Sequence, residues 1–280
     1  MYLIVKKKYL NENVCEMEIL ADRIAKKAKA GQFIILRVHS EGERIPLTIA
    51  GFDREKGTVK IIFQVVGLTT ALLSQKNEGD YIEDFVGPLG NATEVENIKK
   101  ACVVGGGVGC AIALPVAEAL TKNKSEVVSI IGFRTEGLVI LKDEFESISK
   151  QMILVSDDGS IGEKGNVCGP LEKMLESGET FDKIFAIGPL VMMKYVAELA
   201  KKYNIPCIVS MNPIMIDGTG MCGGCRLTVD GKQKFACIDG PDFDGYLVDF
   251  DEIINKNKCY QTFEKNAREK HCNLFKKEVL

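Results

Sequence analysis

The chain has 280 residues, 46% of them hydrophobic, enough to bury a sizeable core divided over two or three units. Its formal net charge of −3 excludes a general nucleic-acid binder, which would present a strongly basic surface. Ten cysteines and a start, Met1-Tyr-Leu-Ile-Val-Lys-Lys-Lys8, that moves straight from strand-like residues into charge predict a cytoplasmic protein without a signal peptide. Its thiols are expected to serve metals or packing and not a disulfide framework.

Residues 1–97 carry short alternating or β-branched runs, Gln32–Val38 and Thr58–Val66 among them, separated by charged turns such as Asp53-Arg-Glu-Lys-Gly57. This texture predicts an antiparallel barrel or sandwich. Within it, Arg44-Ile-Pro-Leu-Thr48 could pin an anionic cofactor through the guanidinium, or could be a surface arginine before a stiff strand. Thr69-Thr70 after Gly67 and Gly87-Pro-Leu-Gly90 read as turn chemistry unless a ligand is present.

From Lys99 the pattern becomes apolar strand, glycine turn and helix, repeated. The strands are Ala101–Gly105, Val127–Phe133, Met152–Ser156, Ile184–Gly188 and Cys207–Met211, with four helical stretches between them. That order predicts a parallel, doubly wound sheet over residues 98–211. Ala101 to Ala117 holds no charge, but Gly105, Gly106, Gly107, Gly109 and Pro115 interrupt it, so it reads as strand, turn and buried helix and not as a membrane span. Such a turn lets backbone N–H groups and a helix N-terminus approach a pyrophosphate, although its spacing is not G-x-G-x-x-G and close packing would also demand small residues. The third strand runs into Leu154-Val-Ser-Asp-Asp-Gly-Ser160. Asp157 or Asp158 could accept from a ribose 2′-OH and repel a 2′-phosphate, leaning the choice to NAD(H), while Arg134 argues the other way. An Asx turn at Asp158-Gly159 is the alternative.

The third unit, 212–280, contains Asp217, Cys222, Cys225 and Cys237 in the order D-x4-C-x2-C-x11-C. Plant-type [2Fe–2S] sites use C-x4-C-x2-C and a distant fourth ligand, so the spacing predicts such a cluster with a carboxylate in the first place. The glycines between the ligands let the chain turn sharply and aim N–H groups at sulfur. A structural zinc site would also use C-x2-C, but a second pair is missing and both histidines, His39 and His271, are remote in sequence. From Ile238 to Glu252 come six acidic residues and no basic one, read either as a rim that steers a basic partner or as turns and a helix cap. A charged helical tail is expected from Phe250 to Leu280.

Taken in order, R-x-P-x-T, G-x-T-T, G-P-L-G, G-G-G-x-G, S-D-D-G-S, I-G-P-x-x-M-M and the three-cysteine segment resemble the electron-transfer branch of the ferredoxin–NADP reductase superfamily. Two of its members are similar over essentially the whole chain: the electron-transfer subunit of dihydroorotate dehydrogenase, and the small subunit of NADH-dependent reduced-ferredoxin:NADP oxidoreductase, also called the sulfide dehydrogenase beta subunit. In the second an aspartate replaces the first cysteine, as in Ser210-Met-Asn-Pro-Ile-Met-Ile-Asp-Gly-Thr-Gly-Met-Cys-Gly-Gly-Cys225. The resemblance implies FAD on the barrel, contacted by Arg44, Pro46, Leu47, Thr48, Ile62, Phe63, Gln64, Thr69 and Thr70. Much of the superfamily has arginine three residues before the Ser/Thr, where this chain has Ile45. It further implies a nicotinamide dinucleotide on Gly105, Gly106, Gly107, Gly109, Arg134, Asp157 or Asp158, Gly188 and Pro189, and a [2Fe–2S] cluster on Asp217, Cys222, Cys225 and Cys237. NADH would pass a hydride to FAD, which would release electrons singly to the cluster, with no acid–base residue required. The implied partner, in a heterodimer, is a larger flavin and iron–sulfur subunit, similar to a glutamate synthase small subunit, that handles NADP(H) and ferredoxin in electron bifurcation. Competing readings are the dihydroorotate dehydrogenase subunit, a diaphorase acting alone, and a zinc and nucleotide-binding sensor. No membrane contact is expected.

Overall fold

The computed structural model describes residues 1–258. The first ninety residues form β1 (Tyr2–Asn11), β2 (Val14–Leu20), α1 (Asp22–Lys27), β3 (Phe33–Arg37), β4 (Arg44–Asp53), β5 (Thr58–Gln64), α2 (Leu68–Gln75), β6 (Tyr81–Ile82) and β7 (Asp84–Leu89). The seven strands make one antiparallel sheet in the order β6-β1-β2-β5-β4-β3-β7. Alternation decides what each strand buries. Ile61 and Phe63 of β5 and Ile34 and Leu36 of β3 point inward, where they pack with Met17, Ile19, Ile49 and Phe85 in the near-barrel's core.

The second sheet is built from β8 (Lys100–Gly106), α3 (Cys110–Lys122), β9 (Glu126–Phe133), α4 (Lys142–Ile148), β10 (Gln151–Ser156), β11 (Glu163–Lys164), α5 (Cys168–Glu176), β12 (Lys183–Ile187), α6 (Leu190–Lys202) and β13 (Cys207–Ser210). All five strands expected from the apolar runs are present, their starts and ends displaced by at most one residue. The order is β11-β10-β9-β8-β12-β13, parallel throughout, so the sheet reverses direction between β8 and β12 and opens a crevice at their carboxyl ends. α3 runs on through Pro115 and buries most of its surface, as its uncharged sequence requires.

The remaining described chain does not stand apart from this sheet. β14 (Arg226–Val229) and β15 (Lys232–Phe235) form a hairpin, α7 (Ala236–Asp239) follows, and β16 (Asp242–Asp244) pairs antiparallel with β13 at the edge of the parallel sheet. Of the predicted helical tail, 250–258 is helical and the rest lies outside the described residues. Among the described residues no helix is long and apolar enough to cross a membrane.

Candidate functional site: two joined cavities and a cysteine loop

A cavity of about 710 Å³ lies on the barrel. Pro46, Leu47 and Thr48 of β4, Ile62, Phe63 and Gln64 of β5, and Thr69 and Thr70 of α2, the residues that the resemblance assigns to a flavin, all line it. Its far wall comes from the chain after β13, Ser210 to Met215, and from Pro241. Thr70 is held in place by the helix start, its Oγ1 accepting from the N–H of Gly67 at 3.0 Å. Arg44 is exposed at the first position of β4 and does not line the cavity, although β4 alternation gives it the same face as Pro46 and Thr48. Its neighbour Glu43 lines the cavity instead and accepts from Thr69 Oγ1 at 3.3 Å.

A second cavity, of about 490 Å³, occupies the crevice at the switch point of the parallel sheet. Gly106, Gly107 and Gly109, Arg134, Asp157, Gly188 and Pro189 line it, joined by Asn11 and Val14 from the barrel, which sequence reading missed. The glycines divide by task. A Cβ on Gly109 would stand 2.6 Å from both Gly188 Cα and Ile187 O, and one on Gly106 would stand 2.4 Å from Met192 Sδ. Those two are small so that the turn can pack. Gly105 does not line the cavity, and a Cβ there would meet Cys110 Sγ at 2.9 Å, so it too serves packing, against α3. Gly107 alone has positive φ, +55°, and open space above it, just ahead of the α3 N-terminus. It leaves backbone approachable by an anion.

Asp157 lines the cavity and Asp158 does not. Asp158 Oδ1 accepts from the backbone N–H of Ser160 at 2.9 Å and its hydroxyl at 2.7 Å, bonds that hold its carboxyl below the usual range. It is the Asx turn. Gln64, Val108, Ile112, Ser210 and Asn212 line both cavities, so the two share a wall.

Past Met215 the chain enters the cysteine loop. Cys225 and Cys237 are buried with their sulfurs 3.2 Å apart, while Cys222 is exposed. Burial and then the Cys225 side chain push the Cys237 thiol up to about 12. Backbone N–H groups point at these sulfurs: Gly224 donates to Cys222 Sγ at 3.5 Å, and Gly220 donates to Cys237. Asp217 braces the loop, Oδ1 accepting from Thr219 N–H at 2.6 Å and Oδ2 from Cys222 N–H at 2.8 Å. The Thr219 bond is the main cause of a lowered carboxyl pKa, and the carboxylate keeps lone pairs for a further partner. Three thiols with N–H groups aimed at sulfur and one carboxylate are a donor set that fits an iron–sulfur cluster. Among the described residues, no three His, Cys, Asp or Glu side chains are grouped as ligands of a single ion. The remaining described cysteines pack; burial pushes Cys15 and Cys168 up to about 11 and Cys207 up to about 12.

The acidic run is not a free rim. Asp239 accepts from Phe235 N–H, Asp244 from Tyr246 N–H, Asp249 from Glu252 N–H at the helix start, and Glu252 from Thr228 N–H, while Asp251 pairs with Lys194. Asp242 faces inward. It accepts from Thr93 Oγ1 at 2.5 Å and from Ser210, and burial raises its pKa. These bonds fit the turn-and-cap reading.

The iron–sulfur cluster binding domain of dihydroorotate dehydrogenase B, as a protein family, matches residues 212–249. The chain is 46% identical over 267 residues to the dihydroorotate dehydrogenase B (NAD(+)) electron transfer subunit homolog of Thermotoga maritima, covering 95% of this chain and 94% of the relative. The electron transfer subunit of that enzyme from Bacillus caldolyticus is 33% identical, over 86% of this chain and 94% of its own. A chain of the NADH-dependent reduced ferredoxin-NADP oxidoreductase, whose structure concerns flavin-based electron bifurcation, superposes with a TM-score of 0.91 at 44% identity, covering 97% of this chain and 98% of that one. A ferredoxin reductase at 16% identity, over 73% of this chain and 65% of its own, shares the fold alone, at a TM-score of 0.61. The near-barrel, the doubly wound sheet and the cysteine segment are thus a ferredoxin–NADP reductase-like assembly, and the chain belongs to the family of dihydroorotate dehydrogenase B electron-transfer subunits and their homologues.

Proposed function

We propose that this chain is the electron-transfer subunit of a flavin-based oxidoreductase, exchanging electrons between NAD(H), FAD and a [2Fe–2S] cluster. One observation carries the order of the three: the crevice and the barrel cavity share a wall, and the barrel cavity's far wall, Ser210 to Met215, leads directly into the cysteine loop. FAD supplies the exchange between a two-electron hydride and single electrons. The protein's own residues bind, orient and exclude water. Pro46, Leu47, Thr48, Ile62, Phe63, Gln64, Thr69 and Thr70 would hold the flavin; Gly106, Gly107, Gly109, Arg134, Asp157, Gly188 and Pro189 the nicotinamide dinucleotide; Asp217, Cys222, Cys225 and Cys237 the cluster. Asp157 favours NAD(H), because a carboxylate accepts from a ribose 2′-OH and repels a 2′-phosphate. In this reading 1–97 serves mainly the flavin, 98–211 mainly the dinucleotide and 212–280 the cluster, with Asn212 to Met215 and Pro241 completing the flavin's wall.

The partner is a larger flavin and iron–sulfur subunit that handles NADP(H) and ferredoxin, in a cytoplasmic bifurcating complex. Identity of 44% to a chain of the bifurcating enzyme over 97% of this chain supports this choice, and the 46% identical Thermotoga maritima relative, named a dihydroorotate dehydrogenase subunit homolog, keeps the second reading open to test. The test is an absorption and EPR spectrum of the purified chain with iron and sulfide analysis, followed by flavin reduction with NADH and NADPH. Colourless protein with stoichiometric zinc would overturn it, and co-purification with a dihydroorotate-oxidising subunit would redirect it.

A further inference from the structure

β14 has a strand partner on one edge only, β15. Cys225 faces that side, its carbonyl accepting from Ala236 N–H at 3.2 Å. Gly224, Arg226 and Thr228, every second residue, turn their backbone groups to the opposite edge. There Val229 makes a single antiparallel bridge with Val248, and beyond that bridge the helix over 250–258 covers the edge. Thr228 O accepts from Asp249 N–H at 3.0 Å, and Thr228 N–H donates to Glu252 Oε2 at 2.9 Å. One turn later, Lys256 Nζ donates to both Gly224 O and Arg226 O at 3.0 Å. Glu252 and Lys256 lie on one helix face at i, i+4 spacing. The two carbonyls that Lys256 grips flank Cys225, so a cation is fixed beside a thiol of the proposed cluster.

We infer that Lys256 is a positioning and potential-tuning residue: it clamps the chain on both sides of Cys225 and holds the cluster's reduction potential up. The inference rests on reading Cys225 as a cluster ligand. Reduction adds one negative charge to the centre, and a cation held at the backbone on both sides of one ligand stabilises that state more than the oxidised one. Its partly screened attraction is worth about tenfold in the ratio of reduced to oxidised cluster at a fixed potential.

The test is an EPR-monitored redox titration of the full-length chain with its cofactors, alongside iron and sulfide content. Lys256→Met is expected to lower the ratio of reduced to oxidised cluster at a fixed potential about tenfold, equivalent to a midpoint roughly 59 mV lower for a one-electron couple. Lys256→Arg is expected to restore the wild-type midpoint. Glu252→Gln, which removes a negative charge from the same helix face, is expected to raise it; mere loosening of the clamp would not give the two variants opposite signs. If Lys256→Met loses iron, Lys256→Gln keeps donors without charge and carries the measurement. A full cluster at the wild-type midpoint in Lys256→Gln overturns the inference alone. A wild-type chain without iron or sulfide overturns the cluster reading, and this inference with it.

Discussion

Gly107 and Gly109, two residues apart in one turn, should fail in different ways when replaced by alanine. A Cβ at Gly109 would stand 2.6 Å from Gly188 Cα and 2.6 Å from Ile187 O, both backbone atoms that cannot rotate aside. The turn after β8 and the turn after β12 would have to separate by most of an ångström, an overpacking that costs about 1–3 kcal/mol. For a chain of this size each kcal/mol lowers Tm by roughly 2–4 °C, so Gly109→Ala should melt between about 2 and 12 °C lower. At Gly107 a Cβ meets nothing within 4 Å, and only its φ of +55° is unfavourable. The strain is about 1–2 kcal/mol, or roughly 2–8 °C of Tm by the same conversion, and the new methyl projects into the space where backbone would meet the nucleotide. Stopped-flow reduction of the bound flavin by NADH separates the two: Gly107→Ala should raise the NADH concentration for half-maximal rate about tenfold, worth 1.4 kcal/mol, and Gly109→Ala should change it less. An unchanged NADH dependence in Gly107→Ala, or an unchanged Tm in Gly109→Ala, would refute the division of tasks.

Replacing Cys222, Cys225 or Cys237 with alanine should remove iron and sulfide while flavin absorbance stays, since none of the three lines the barrel cavity; a surviving [2Fe–2S] EPR signal would count against the ligand set. Asp157→Asn should narrow the preference for NADH over NADPH, and Asp158→Asn should leave it alone, because Asp158 is tied to Ser160. Burial raises the folded pKa of Asp242 above its ordinary 3.8, so its contribution to stability is full below that value and is lost as pH rises through the folded value. Asp242→Asn should therefore flatten the fall of Tm with pH on the acid side of neutrality; a curve parallel to wild type would show that its carboxyl is not buried in solution.

Local chemistry was legible in the sequence and long-range chemistry was not. The five parallel strands follow from apolar runs bounded by glycine, and the cysteine spacing marks the segment that the iron–sulfur cluster binding family matches. Assigning one glycine to ligand and three to packing needs Gly188, Met192 and Cys110, which the fold brings to the turn from other elements. Asp157 and Asp158 are indistinguishable as a pair of letters; only the hydroxyl of Ser160 separates them. The acidic run reads as a charged surface because its partners lie far away: Thr93 reaches Asp242 across 149 positions, and Lys194 reaches Asp251 across 57. Arg44 sits in a motif whose spacing this chain departs from by a single residue, and the structure leaves it exposed at the start of β4, outside the cavity lining.

The antiparallel pairing of β13 with β16 begins at Ser210 and Asp242, directly opposite each other. Everything between them, 211–241, is therefore an excursion that leaves the sheet and returns to the rung it left. A shorter turn could join the same two strands and keep the sheet closed. The excursion can therefore change length without breaking the sheet's edge, but it is not detachable: Met211, Met215, Cys225, Leu227 and Cys237 pack in one core with Val104, Ile130 and Ile184 of the parallel strands, so the cysteine segment and the sheet are coupled through that core.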